Sequence, residues 1–165
     1  MLEEESVKHC LFLLDCKNIL GSVRNIYGSE ARLDFKKLKS LAHRDSKDKQ
    51  DSLAIAYIDL DNPWISTLST VLSTVGYKIN TYGPKIAEET LSTPYMIVDG
   101  VSFSNQYKKV VVASARGDLI PLYDYLQNKE KIVEVMAFEE DLSSRVPKYI
   151  DTFLNLDESV LMLNT

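Results

Sequence analysis

Three short apolar runs stand out along the chain, "CLFLLD", "SLAIAYIDLD" and "VVVAS", and each ends in a polar turn. They are rich in β-formers without strict alternation, the pattern of strands covered on both faces, so they read as central strands of a parallel sheet. Helical patterns lie between them. "LDFKKLKSLAHR" sets Phe35, Leu38 and Leu41 at helical spacing behind Asp34 or Ser29 as a starting signal, and "NPWISTLSTVLSTVGY" opens with Asn62 as a cap and Pro63 in the first turn, stopping at Gly76. Further on, "YKINTYG" predicts a strand, "PKIAEETLS" a short helix, "DLIPLYDYLQNKE" a helix, "KIVEVMAF" a strand and "DLSSRVPKYIDTFLNL" a final helix. One segment resists the alternation. "TPYMIVDGVSFSNQY", residues 93 to 107, is β-rich around the turn signal Asp99-Gly100 and predicts an extended stretch that covers or extends the sheet.

Strands alternating with helices predict right-handed crossovers and a three-layer α/β/α fold, Rossmann-like, with a central parallel sheet of order 3-2-1-4-5. No repeat, linker or composition boundary interrupts residues 1 to 165, which read as a single domain. With 45% apolar and 26% charged residues the composition is that of an ordinary globular protein.

The formal net charge of -5 argues against wholesale phosphate neutralisation, which needs a basic excess. A local basic patch remains compatible with it. The densest basic stretch holds Lys36, Lys37, Lys39, His43, Arg44, Lys47 and Lys49, but Asp45, Asp48 and Asp51 are mixed in, and it reads as a solvated helix end and loop. His43 is expected to be an exposed helix residue and His9 a strand-entry residue. The start "MLEEESVKHC" is acidic and has no long apolar run, and no later segment is long enough to span a bilayer, so a cytoplasmic protein without a membrane partner is expected. Cys10 and Cys16 lack Cys-x-x-Cys spacing and read as free thiols.

Several familiar chemistries are excluded by their missing motifs. There is no Gly-x-Gly-x-x-Gly after the first strand and no Gly-Lys-Ser, which counts against a nucleotide-binding domain or a small-molecule phosphohydrolase. Ser114 follows a strand and precedes a helix, but "VASAR" lacks the glycines of a nucleophile elbow, and His9 and His43 are the only histidines. The triplet Arg116-Gly117-Asp118 is given no weight as an attachment motif.

Acids at strand ends are the remaining candidates. Asp15 terminates the first strand and Asp118 follows the fourth; in the expected strand order these strands are neighbours whose carboxyl ends flank the switch-point crevice. Converging carboxylates need a shared proton or a cation, and hard oxygen donors suit Mg²⁺ or Mn²⁺, which could activate water against a phosphodiester. The alternative is that each acid caps the turn or helix that follows it. Spacing alone leaves both open.

In this light "FLLDCKNI", with Asp15 and Asn18, resembles the opening motif of NYN domains, a branch of the PIN-like nuclease superfamily. "VVVASARGDLIPL" resembles that family's fourth-strand motif, "AYIDLD" and "VGYKI" fit its second and third strands, and "VEVMAFEEDLSSRVPKYIDTFLNLD" is similar to its last strand and helix. The resemblance covers about residues 8 to 157. It implies metal-dependent cleavage of single-stranded RNA, with Mg²⁺ or Mn²⁺ as cofactor, and leaves a homodimer open. Asp15 would be the central ligand, Asp118 a second ligand or water-positioning base, and Glu88 or Asp99 a third. Glu88 comes from Lys85-x-x-Glu88, the best match to a Lys-x-x-Asp motif of the family. Asn18 would brace Asp15 or a bound water, though a strand-exit Asn also suits a turn, and Ser114 and Lys85 would lie on the substrate side.

The site departs from the family where it matters most. Ser114-Ala115-Arg116-Gly117-Asp118 stands in place of Ser-Gly-Asp-x-Asp, so a cation occupies a carboxylate's position. Arg116 would either pair with Asp15 or Asp118 and replace the metal's charge, leaving a scaffold that binds nucleic acid or protein without cutting, or grip a phosphate beside a metal held by the remaining acids. The first is the simpler, and the site is expected to be weakened.

Overall fold

A computed structural model describes residues 7–83 and 91–163. The chain runs through β1 (Lys8–Asp15), α1 (Cys16–Tyr27), α2 (Phe35–Ala42), β2 (Ser52–Asp59), α3 (Ile65–Thr74), β3 (Lys78–Tyr82), α4 (Thr93–Phe103), β4 (Tyr107–Ala113), α5 (Ile120–Asn128), β5 (Ile132–Ala137) and β6 (Thr152–Asn155). The strands form one parallel sheet of order β3-β2-β1-β4-β5-β6. Among the described residues no helix is long and apolar enough to cross a membrane.

The unbroken apolar run of β1 has its reason in the layers. Cys10, Phe12 and Leu14 face α1, α2 and α3 through Ile19, Leu38 and Leu72, while Leu11 and Leu13 face α4 and α5 through Met96, Leu122 and Leu126. Every one of these side chains is buried. At about 1.5–3 kcal/mol for each fully buried large apolar side chain, this strand is the main hydrophobic anchor of the fold. Its register sets Asp15 opposite Tyr57 of β2 and Leu14 opposite Ala113 of β4. Because the chain leaves β1 toward β2 on one side and returns to β4 on the other, a crevice opens at the carboxyl ends of these strands.

Two expectations are corrected. Residues 93 to 107 are not extended: Thr93–Phe103 is helix α4, followed by a 3-10 turn, Ser104–Gln106. The β-rich "YMIV" is overridden because Met96 and Gly100 pack inward, and Gly100 is the contact point with α5 instead of a turn. The final segment is not a helix: 3-10 turns at Glu139–Asp141 and Val146–Tyr149 lead into the edge strand β6, which the short run "TFLN" completes against β5. The short helix expected from "PKIAEETLS" falls largely on residues 84–90, outside the described residues.

The basic stretch is less solvated than its composition suggests. Arg44 reaches the fully buried Glu134 of β5, donating from Nη1 to Oε2 at 2.9 Å and from Nη2 to Oε1, and Lys109 Nζ stands 3.6 Å from the same carboxylate. Nor is His43 an exposed residue. Its ring packs 6.1 Å from that of Phe12, neither nitrogen has a hydrogen-bond partner among the described residues, and burial pushes its pKa down to about 4, with Lys39 adding to the effect.

Two predictions follow from this packing. Since the folded His43 binds a proton less readily than the unfolded one, stability should fall as pH drops from about 6.5 to about 4. The loss should be on the order of 2 kcal/mol, and urea melts across that window should show it reduced in His43→Phe. At Gly100 an added Cβ would come within 2.6 Å of Leu122 Cδ1. Gly100→Ala gains about 1 kcal/mol in helix propensity but overpacks the α4/α5 contact at a cost of about 1–3 kcal/mol, so thermal melts should show net destabilisation.

Candidate functional site

Asp15 ends β1 with no exposed surface, and its carboxylate is held from three directions. Ser114 Oγ donates to Oδ2 at 3.0 Å, the Asn18 backbone N–H donates to Oδ1 at 3.3 Å, and Arg116 Nε forms an ion pair with Oδ2 at 3.3 Å. Asp15 is thus also the N-cap of α1, so the capping alternative is met. The Asn18 side-chain oxygen accepts the Ala115 N–H at 2.8 Å, and the Arg116 N–H donates to Ser114 Oγ at 3.3 Å. The start of α1 and the turn after β4 are therefore one bonded unit. Its far side is tight as well, since a Cβ on Gly117 would meet Ser143 Oγ at 2.6 Å.

Burial is the largest influence on Asp15 and raises its pKa; Arg116, then Ser114 and Asn18, pull it back. Tyr123, fully buried, is raised by burial and by the charges of Asp15 and Asp118, and its hydroxyl has no hydrogen-bond partner among the described residues. Tyr82 is likewise raised by burial and then by Asp15 and Asp59.

Neither Asp118 nor Asp99 forms a hydrogen bond with Asp15. Asp118 is exposed in the 3-10 turn Gly117–Leu119 and makes no hydrogen bond or ion pair with a described residue. Asp99, on α4, accepts from Tyr57 OH at 2.7 Å and from Asn80 Nδ2 at 2.9 Å, which commits it to bridging β2 and β3. Lys85 and Glu88 lie outside the described residues. Among the described residues no three His, Cys, Asp or Glu side chains are grouped to hold a metal. The described donors do not by themselves suit a divalent ion: the one carboxylate at the centre already accepts two hydrogen bonds and is paired with a guanidinium.

Other residues form the wall of the crevice. Its volume is about 750 Å³, and Lys17, Arg24 and Arg116 line it with Asp59, Asp61 and Trp64. Lys17 Nζ lies 3.6 Å from Asp59 Oδ2, and the Asp61 N–H donates to Asp59 Oδ1 at 2.9 Å. Asp59 carries the same signal as Asp15, an acid closing an apolar run, yet sequence reasoning took "AYIDLD" only as a strand. Lys17 and Arg24 sit on α1 and carry no sequence signal that sets them apart from surface cations.

A family model for the NYN domain matches residues 11–157. The chain belongs to the NYN domain family. No curated protein matches it. Among solved structures, this NYN domain is similar to a protein of unknown function from Vibrio parahaemolyticus RIMD 2210633, with a TM-score of 0.79 and 18% identity over 98% of this chain and 100% of that one. At that identity the likeness speaks to the fold, which matches the PIN-like layering around a parallel sheet.

The Asp15–Arg116 pair yields a direct test. Arg116→Ala leaves a buried carboxylate without its cation and is expected to cost about 3 kcal/mol at neutral pH. Because the folded carboxyl is already raised above its ordinary value, ionising it costs stability as pH rises; the loss should shrink in acid, where Asp15 is neutral. Adding Asp15→Asn to Arg116→Ala should recover most of it, and a double-mutant cycle of urea melts measures the coupling.

Proposed function

We propose that this NYN domain binds single-stranded RNA across the crevice without cutting it, Arg116 supplying internally the positive charge that a metal ion would bring. The buried Asp15–Arg116 ion pair carries this reading. Asp15 is neutralised, hydrogen-bonded and used as a helix cap, so it braces the site instead of presenting an open ligand. Contact with phosphate then falls to the cations of the rim. Lys17 and Arg24 are exposed, and Arg24 has no side-chain partner among the described residues. Phosphate contacts of this kind position a strand without reading its sequence.

Metal-dependent cleavage is the second reading, favoured by Asp59. Asp15 and Asp59 both act on the Tyr82 hydroxyl, so two acids from neighbouring strands face the same end of the sheet. An assay separates the two. Labelled single-stranded RNA should bind equally with EDTA or Mn²⁺ and stay intact. Two phosphate contacts imply a slope of about −1.4 for log K against log salt, and Arg24→Ala should reduce its magnitude by about 0.7. EDTA-sensitive cleavage that is lost in Asp15→Asn would establish the nuclease instead.

A further inference from the structure

A second concavity adjoins the crevice. It is a groove of about 680 Å³ between α1 and α3, walled by Leu20, Val23, Leu68, Val71 and Met162. Arg24, Asn62 and Trp64 line both cavities, so crevice and groove are continuous at these three residues. Trp64 is the only tryptophan in the chain and is 67% exposed at this junction.

The loop holds Trp64 in place. Its N–H donates to Asn62 Oδ1 at 2.8 Å, the Asn62 N–H donates to Asp59 O at 3.0 Å, and Pro63 fixes the backbone between them. These bonds order the backbone that carries the indole, so part of the cost of placing the ring is met before a ligand arrives. On its groove side the charge is of one sign, while Asp59 and Asp61 line the crevice side. Among the described residues two arginines and no acid line the groove, although the chain as a whole has a net charge of -5. Arg32 is turned partly inward, donating from Nη1 to Ser29 O at 3.1 Å, which leaves Arg24 as the free cation at the junction among the described residues.

An exposed indole, an apolar wall and a free guanidinium at the opening of the crevice suit a flat apolar ring joined to a phosphate. We propose that the groove is a base-binding subsite, in which Trp64 stacks on a nucleobase of single-stranded RNA while Arg24 holds the adjoining phosphate. The inference rests on the RNA-binding reading above and adds to it a residue that senses the base. Charge complementarity and continuity with the crevice favour this occupant over an apolar helix, which would have no use for the arginines.

The single tryptophan makes the test direct. Titrating the full chain with a short oligoadenylate should quench its intrinsic fluorescence, whereas ribose 5-phosphate and inorganic phosphate should not. By anisotropy of the labelled oligoadenylate, Trp64→Ala should bind about tenfold more weakly or worse, and Trp64→Phe should retain most of the affinity. Circular dichroism checks that both variants are folded. Wild-type affinity in Trp64→Ala, or equal quenching by ribose 5-phosphate, would overturn the subsite and leave RNA binding in the crevice standing. Absence of oligoadenylate binding by the wild type would overturn both. A dimer in sedimentation that Trp64→Ala dissociates, with oligoadenylate binding unchanged, would assign the groove to a second copy of the chain and likewise overturn the subsite.

Discussion

A carboxylate with no access to water must find its counter-charge within the protein, and Asp15 finds it in Arg116. The desolvation that raises Asp15 is opposed by one guanidinium and by two donors, Ser114 Oγ–H and the Asn18 N–H. Because those partners come from both sides of the switch point, the electrostatic requirement of one side chain ties α1 to the turn after β4. The shape of the crevice depends on this knot. A metal ion could meet the same requirement only if further oxygen donors converged on it, and the described acids are spent elsewhere: Asp99 on Tyr57 and Asn80, Asp59 on Lys17, and Asp118 in solvent.

A similar solution recurs at the opposite end of the sheet. Glu134 is fully buried on β5, and Arg44 and Lys109 neutralise it. There the ions join the loop after α2 to the sheet. Buried pairs of this kind add little net stability but are costly to break from one side. At the crevice the same kind of pairing ties α1 to the turn after β4, and Lys17, Arg24 and Asp61 are exposed along its wall with Trp64 beside them.

The layered arrangement was legible in the chain because its cause is local. A strand buried on both faces must be apolar throughout, and β1, β2 and β4 each show that run ending in a polar turn. Strand order set the carboxyl ends of β1 and β4 side by side and pointed to Asp15 and Asp118, whereas it is Ser114 that bonds Asp15 there; the pairing of Asp15 with Arg116 was one of the options that the sequence allowed. Two elements misled for opposite reasons. The segment of α4 has strand-like propensity and a glycine that resembles a turn, yet Gly100 is there so that Leu122 of α5 can approach. The last segment has helical spacing, yet β6 is an edge strand whose half-exposed pattern, in a run of only four residues, hardly differs from that of a short amphipathic turn.

By itself, then, the sequence determined the parallel α/β layering, the NYN resemblance and the presence of a cation where that family carries an acid, because each is written in contiguous residues or fixed spacings. Only the tertiary structure decided which partner Asp15 takes, that Asp99 bonds Tyr57 and Asn80 while Asp118 is exposed, and that Arg24 and Trp64 both line the crevice and the groove. Those outcomes depend on distances between segments far apart in the chain, and such distances are set by the packing of helices on the sheet and by the desolvation of one buried charge, neither of which leaves a local pattern.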